Sequence, residues 1–219
     1  MPDMSSVTVR GTALAAVTPD RAELGLALTH LAPDAAVAYD EVADRSQQLE
    51  AMLAGHGFAR EDWTTEGVQV GEEYQWQNDS NVLVGYRATT AVSVTVRRTE
   101  LVGTLIRDGV TDAGAGVRNL VWRVDADNPA RRELMAAAAR DAHLRATAYV
   151  DALGLHLGDV ELISELPPTA EPSPEPRMMM AAGGKMADHA ELSVSGGLVE
   201  LGAEVFVRFA ILRERLANH

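Results

Sequence analysis

The chain has 219 residues, 47% hydrophobic and 23% charged, with a formal net charge of −13, which suits a globular protein of one large domain or two small ones with a sizeable core. It contains no cysteine, which excludes disulfides, thiolate metal sites and thiol peroxidase chemistry. The acidity argues against nucleic acid or anionic membrane as a partner, since both need concentrated Lys and Arg.

The opening residues, MPDMSSVTVRG, pass straight into alternation without a basic start and an apolar run, so they do not read as a signal peptide. No window approaches ~18 consecutive apolar residues, so no transmembrane helix is expected. The location this predicts is cytoplasmic.

Val7, Val9, Gly11, Ala13, Ala15 and Val17 alternate with mostly polar residues and predict a first strand. After the turn signal Thr18-Pro19-Asp20 the alternation resumes at Ala22, Leu24, Leu26 and Leu28, a second strand expected to pair antiparallel with the first. The period then changes. Asp34 is a good N-cap, and Ala35, Ala38, Val42, Leu49, Met52 and Leu53 fall along one helical stripe that Gly55 and Gly57 stop.

Two more strands follow, WTTEGVQVGEEYQW and, after the turn NDSN at 78–81, a long one. In the long strand Val82, Val84, Tyr86, Ala88, Thr90, Val92, Val94 and Val96 share one face. Its length predicts a bend or bulge, with Gly85 as the candidate position. A short helix opened by Thr99 comes next, then a strand with Leu120, Trp122 and Val124 on one face. The longest helix is capped by Asn128, has Pro129 at the permitted first position and ends at Gly154. Met135, Ala139, Ala142, Ala146, Tyr149 and Leu153 centre on what reads as its core face. The strands DVELISEL and GLVELGAEVFVRFAIL complete the chain. The order β-β-α-β-β-α-β-α-β-β, with strands in adjacent pairs, predicts an α+β fold of largely antiparallel sheet with layered helices.

Between the last two strands, the stretch Leu166–Ser193 holds five of the nine prolines, three consecutive methionines and the only lysine. The 26 residues after it cannot form a domain alone, so residues 167–190 read as a mobile inserted loop within a single domain spanning 1–219.

The whole pattern resembles the SIMPL family. The features that carry the resemblance are Gly11 in the first strand, Pro19-Asp20 before the second, WTTEGVQV after the helix ending at Gly57, and Gly85-Tyr86 in the long strand. The fullest match is AARDAHLRATAYVDALGLHLGDVELISE, from Ala138 to Glu165, and the Pro- and Met-rich insertion before the last strand is also similar. The resemblance implies a two-lobed α+β protomer, a tendency toward large ring-like homo-oligomers and a loosely defined role in stress tolerance. It implies no catalytic residues.

No residue set dictates a reaction. Of the six histidines, His30, His56, His143, His156, His189 and His219, none pair at i,i+4 on a helix, and there is no HExxH or GxSxG. Ser195-Gly196-Gly197 and the Gly183-Gly184-Lys185 run lack phosphate-loop spacing and read as turns. Glu61-Asp62 and Glu72-Glu73 can act as acid and base only if buried beside a partner, and read as solvated charges. Met178, Met179, Met180 and Met186 with His189 are the most unusual cluster. Thioethers suit Cu(I), but they also serve as adaptable interface contacts or as an oxidisable sink, and the interface or flexible-loop reading is favoured over copper. On the far side of the longest helix Leu144 projects beside Arg140, Thr147 and Asp151, with Ala137 and Ala148 alongside, and this face is a candidate contact between protomers. The reading is therefore a non-enzymatic homo-oligomer without a cofactor. The runner-up is a small-ligand or metal-binding protein that uses an inter-lobe pocket or the Met-rich loop, and an enzyme is third.

Overall fold

The computed structural model describes residues 5–77, 79–167 and 196–212. The elements are β1 (Ser6–Val17), β2 (Arg21–Ala32), α1 (Ala35–Gly55), β3 (Trp63–Gln77), β4 (Ser80–Val96), α2 (Val102–Ala113), β5 (Gly116–Arg123), α3 (Pro129–Ala152), β6 (His156–Ser164) and β7 (Val199–Leu212). The fold is α+β with antiparallel sheets, in the element order the sequence predicts. The described residues divide into two compact units, one built from 18–125 with 196–199, the other from 5–17, 126–167 and 200–212.

The first unit is a four-stranded antiparallel sheet in the order β3-β4-β2-β5 with α1 and α2 packed on one face. Period 2 sends Ala22, Leu24, Leu26 and Leu28 of β2 to that face, all fully buried. Opposite them α1 buries Ala38, Val42, Leu49 and Leu53 at helical spacing. The Asp34 carboxylate caps α1 by accepting from the N–H groups of Ala36 (2.8 Å) and Val37 (3.4 Å). At the other end Gly57 takes φ +79°. Thr99 begins a 3-10 turn and makes no capping bond, so α2 starts only at Val102.

The long strand β4 is bent where the glycine predicts. Glu73 pairs with Gly85 but Tyr74 with Leu83, leaving Val84 as the extra residue of a bulge. Gly85 has φ +148°, and a Cβ there would lie 2.5 Å from the Ala32 carbonyl oxygen. The extra residue reverses the alternation beyond it. Val82, expected on the face of Tyr86, turns to the opposite face, and Leu83 takes its place.

The second unit is a three-stranded sheet in the order β1-β7-β6 with α3 against it. The Ile211 N–H donates to the Ser5 carbonyl (2.8 Å) while Arg10 pairs with Glu204 (3.1 Å), so β1 and β7 run antiparallel. The expected pairing of β1 with β2 does not occur. The two strands lie in different sheets, and β2 is flanked by β4 and β5 instead. A short turn signals only that the chain reverses; which edge a strand joins is decided by long-range burial.

The core of this unit is Val9, Ala138, Ala142, Ala146, Val205, Val207 and Phe209. Its closest approach is at Gly11, where a Cβ would meet the Ala138 carbonyl oxygen at 2.0 Å and the Ala142 nitrogen at 2.6 Å. That contact sets the rotation of the helix. The buried row is Leu134, Ala138, Ala142, Ala146 and Val150, so Ala142 and Ala146 of the expected stripe are buried while its Met135, Ala139, Tyr149 and Leu153 are exposed. Met135, Tyr149 and Leu153 stand 54%, 61% and 73% exposed, so Met135 is not a core methionine.

Candidate functional site

The outward face of α3 carries the sequence-predicted contact residues. Leu144 is 68% exposed, with Arg140 and Ala148 exposed and Ala137 half-buried on the same side. They share a face because their spacings of three, four and four residues follow the helical repeat. Arg140 has no ion-pair partner among the described residues. Toward the sheet, the Asp141 carboxylate accepts the Thr12 backbone N–H (2.9 Å) and the Arg145 guanidinium (2.7 Å). These bonds, the Thr12 N–H foremost, hold its pKa below the usual carboxylate range. The neighbouring His143 packs edge-on against Phe209, with ring centroids 5.8 Å apart.

Four of the other flagged side chains, His56, Asp62, Glu72 and Glu73, pair with near neighbours. His56 is within 2.9 Å of Asp108. Partial burial acts to raise the Asp108 pKa, but Arg107 and His56 outweigh it and the net shift is downward. Glu73 is held low by its two-point pairing with Arg87 at 2.9 and 3.0 Å. Glu72 accepts the Tyr74 hydroxyl at 2.5 Å, which pushes the phenol pKa up. Asp62 accepts the Ala59 N–H. None of these carboxylates faces a nucleophile. Met178, Met179, Met180, Met186 and His189, with the predicted loop at 167–190, fall almost entirely outside the described residues. Among the described residues no group of three His, Asp or Glu could hold a metal ion.

The solvent-open clefts among the described residues include these two. One, of about 270 Å³, lies between α3 and β7 and is lined by Arg131, Leu134, Met135, Leu201 and Glu204. The other, of about 340 Å³, lies on the sheet face away from α1. Its floor is Ala27 and Ala91, and the Arg118 side chain pairs with Glu66 at its side. A register slip between Glu66 and Gln69 shapes this cleft, and the Thr90 hydroxyl donates to the Glu66 carbonyl there (2.8 Å). Neither cleft holds a nucleophile with a base beside it.

The sequence reading missed the outer end of the β3–β4 hairpin. Beyond the helices, Val70, Tyr74 and Trp76 of β3 and Leu83 of β4 are 42%, 51%, 67% and 44% exposed. They lie on the face that further in carries Ala88, Val92 and Val94 into the core. The signal was present as an alternation in VQVGEEYQWQ, broken by Glu72, which the bulge at Gly85 brings into line with Leu83.

A family model described as "SIMPL: Protein of unknown function (DUF541)" matches residues 7–209. The "Uncharacterized protein YggE" of Escherichia coli (strain K12) is 28% identical over 182 residues, spanning 83% of this chain and 74% of that protein. Its counterpart in Edwardsiella ictaluri (strain 93-146) is 30% identical over 184 residues, spanning 83% and 77%. The "26 kDa periplasmic immunogenic protein" of Brucella melitensis biotype 1 is 29% identical over 191 residues, spanning 80% and 74%. One solved structure, a hydantoinase/carbamoylase family amidase from Burkholderia ambifaria, aligns over 57% of this chain and 34% of its own at 22% identity and a TM-score of 0.29, too slight a likeness to bear on fold or activity. None of the three relatives carries an enzymatic name. The periplasmic name of the Brucella relative overturns the expected cytoplasmic location. A secretory leader is an address cleaved from a precursor, so the pattern of a chain's first residues is a poor guide to its compartment. No helix among the described residues is long and apolar enough to cross a membrane. With its order of strands and helices and a match over nearly its whole length, the chain belongs to the SIMPL family.

Proposed function

We propose that the protein acts in the periplasm as a non-enzymatic homo-oligomer that contributes to stress tolerance, with residues 1–219 acting as a single SIMPL-type functional domain. The observation that carries the assembly is the outward face of α3, where Leu144 stands 68% exposed beside Arg140. One exposed leucine needs no explanation. Here it is flanked by Ala137 and Ala148, small residues that let a second backbone come close. The stress role follows from the family resemblance, and the compartment from the name of the Brucella relative.

Light scattering on the purified chain tests the assembly, with many protomers expected. Leu144→Arg would place a desolvated charge in the contact, and it is expected to shift the population toward smaller species. A single-protomer mass for the parent chain would sink the reading. An unchanged mass for the variant would move the interface away from Leu144.

A further inference from the structure

We propose that the cleft on the open face of the four-stranded sheet binds a small zwitterion of the α-amino-acid class, with Arg118 holding its carboxylate and Glu66 its ammonium group. This goes beyond the assembly reading and does not depend on it. Strand pairing lays the cleft out as rows across the sheet. Glu66 of β3 stands opposite Ala91 of β4, Ala91 opposite Ala27 of β2, and Ala27 opposite Gly116 of β5. The middle of that row is therefore two methyl groups. The rows on either side stand higher. On one side Asn119 lies over Gly25, where a Cβ would run into its Oδ1. On the other, the hydroxyls of Thr29 and Thr89 are 3.4 Å apart. An alanine floor between taller neighbours leaves the hollow of about 340 Å³, room enough for a small organic molecule.

Two bulges aim the charges at this hollow. β5 carries Arg118 as an extra residue, since Gly25 pairs with Asn119 but Leu26 with Val117. β3 slips just after Glu66, since Glu66 pairs with Ala91 but Gln69 with Thr89. Bulges re-aim the side chains beside them and are frequent at sheet edges and functional sites. Here they lie on opposite edge strands, about 14 Å apart by three strand spacings, and yet Arg118 and Glu66 pair. By contrast, Arg87 with Glu73 and Arg123 with Glu23 join neighbouring strands of the same sheet. A pair that reaches over two strands bridges the hollow instead of filling it. Both side chains are half exposed, so the bridge adds little to stability and opens at little cost.

Opening it leaves a guanidinium fork facing a carboxylate above an apolar floor. A molecule with a carboxylate and an ammonium group on one carbon satisfies both, because each of its charges replaces the partner it displaces. A lone anion or a lone cation would leave Glu66 or Arg118 without its partner. The Thr89 hydroxyl and the Gln69 amide line the same hollow and supply hydrogen bonds of either sense.

Isothermal titration calorimetry on the full chain, with each standard α-amino acid in turn, tests this. At least one is expected to bind. The matching carboxylic acid and amine, each lacking one charge, should bind at least about tenfold more weakly. Absence of binding across the set overturns the proposal, and so does an acid or amine that binds as tightly as its amino acid. Arg118→Gln and Glu66→Gln are each expected to weaken binding by about tenfold or more. Arg10→Gln, which opens the Arg10–Glu204 pair of the other sheet, is expected to leave it unchanged. Unchanged affinity in either cleft variant, or an equal loss in Arg10→Gln, overturns the assignment. The far-UV spectra of the cleft variants should match that of the parent chain, because the pair is half exposed. Loss of strand signal in either variant would make the pair a structural tie and likewise overturns the proposal.

Discussion

The two helix-on-sheet contacts of this protein are built on opposite plans. In the four-stranded unit, Leu24, Leu26, Leu28, Leu49, Leu53 and Leu105 fill the space between layers and are fully buried. In the three-stranded unit the helix contributes Ala138, Ala142 and Ala146, and the layers nearly touch at Gly11. Large side chains hold layers apart and can adjust their rotamers. An alanine row brings backbone to backbone and leaves nothing to adjust. The first contact should therefore be sensitive to lost volume and the second to added volume.

The largest expected effect is in the leucine-filled contact. Leu26→Ala, at a fully buried position, should cost about 2–5 kcal/mol through lost transfer energy and an unfilled cavity, read from urea unfolding. A cost below about 1 kcal/mol would mean that the layers collapse onto the gap, against the comparison. Next is Gly11→Ala. Its Cβ would meet backbone atoms at 2.0 and 2.6 Å, and neither can swing aside. A loss toward the upper end of about 1–3 kcal/mol is expected, with the melting of the α3 unit shifted first. A neutral result would show that α3 can lift from β1.

A pH experiment sharpens the same contact. Asp141 has a lowered pKa in the folded chain, chiefly from the Thr12 N–H and then Arg145. A depressed carboxylate contributes stability that is present above its unfolded pKa and is lost as pH falls through its folded pKa. Asp141→Asn should therefore narrow the stability gap between pH 7 and pH 3 in thermal melts, by lowering the value at pH 7. An unchanged gap would mean the carboxylate does not tie β1 to α3. The smallest effect is expected for Gly109→Ala in α2. There the new Cβ would be 3.3 Å from Leu26 Cδ1, the movable end of a side chain. The helix gains about 0.5–1 kcal/mol over glycine, offset by the shift of that leucine. A loss comparable to that of Gly11→Ala would erase the distinction between the two contacts.

Much of this was legible in the chain. Asp34, Asn128 with Pro129, and Gly85 each impose a local geometry whatever surrounds them, and each was found at its predicted cap or bulge. The faces of β2 and α1 followed from periodicity because both lie wholly under the other layer. The candidate contact at Leu144 was legible as an odd apolar residue on a polar face, and it is exposed. The Trp76 and Tyr74 face was not recognised, since an alternating strand reads the same whether or not a helix covers it.

The sequence by itself determined the element order, the capping residues, the bulge and the family, because these depend on residues close along the chain or on pattern over its whole length. Tertiary structure alone decided that β1 and β2 join different sheets, that Val82 and Leu83 exchange faces, and that α3 buries Leu134, Ala138 and Val150 beside the expected Ala142 and Ala146 while Met135, Tyr149 and Leu153 stay exposed. The reason is common to all three. A strand's partner, the phase of its alternation past a bulge and the rotation of an alanine-rich helix are set by long-range contacts. A helix whose stripes are nearly equal in apolarity takes whichever rotation lets it approach Gly11.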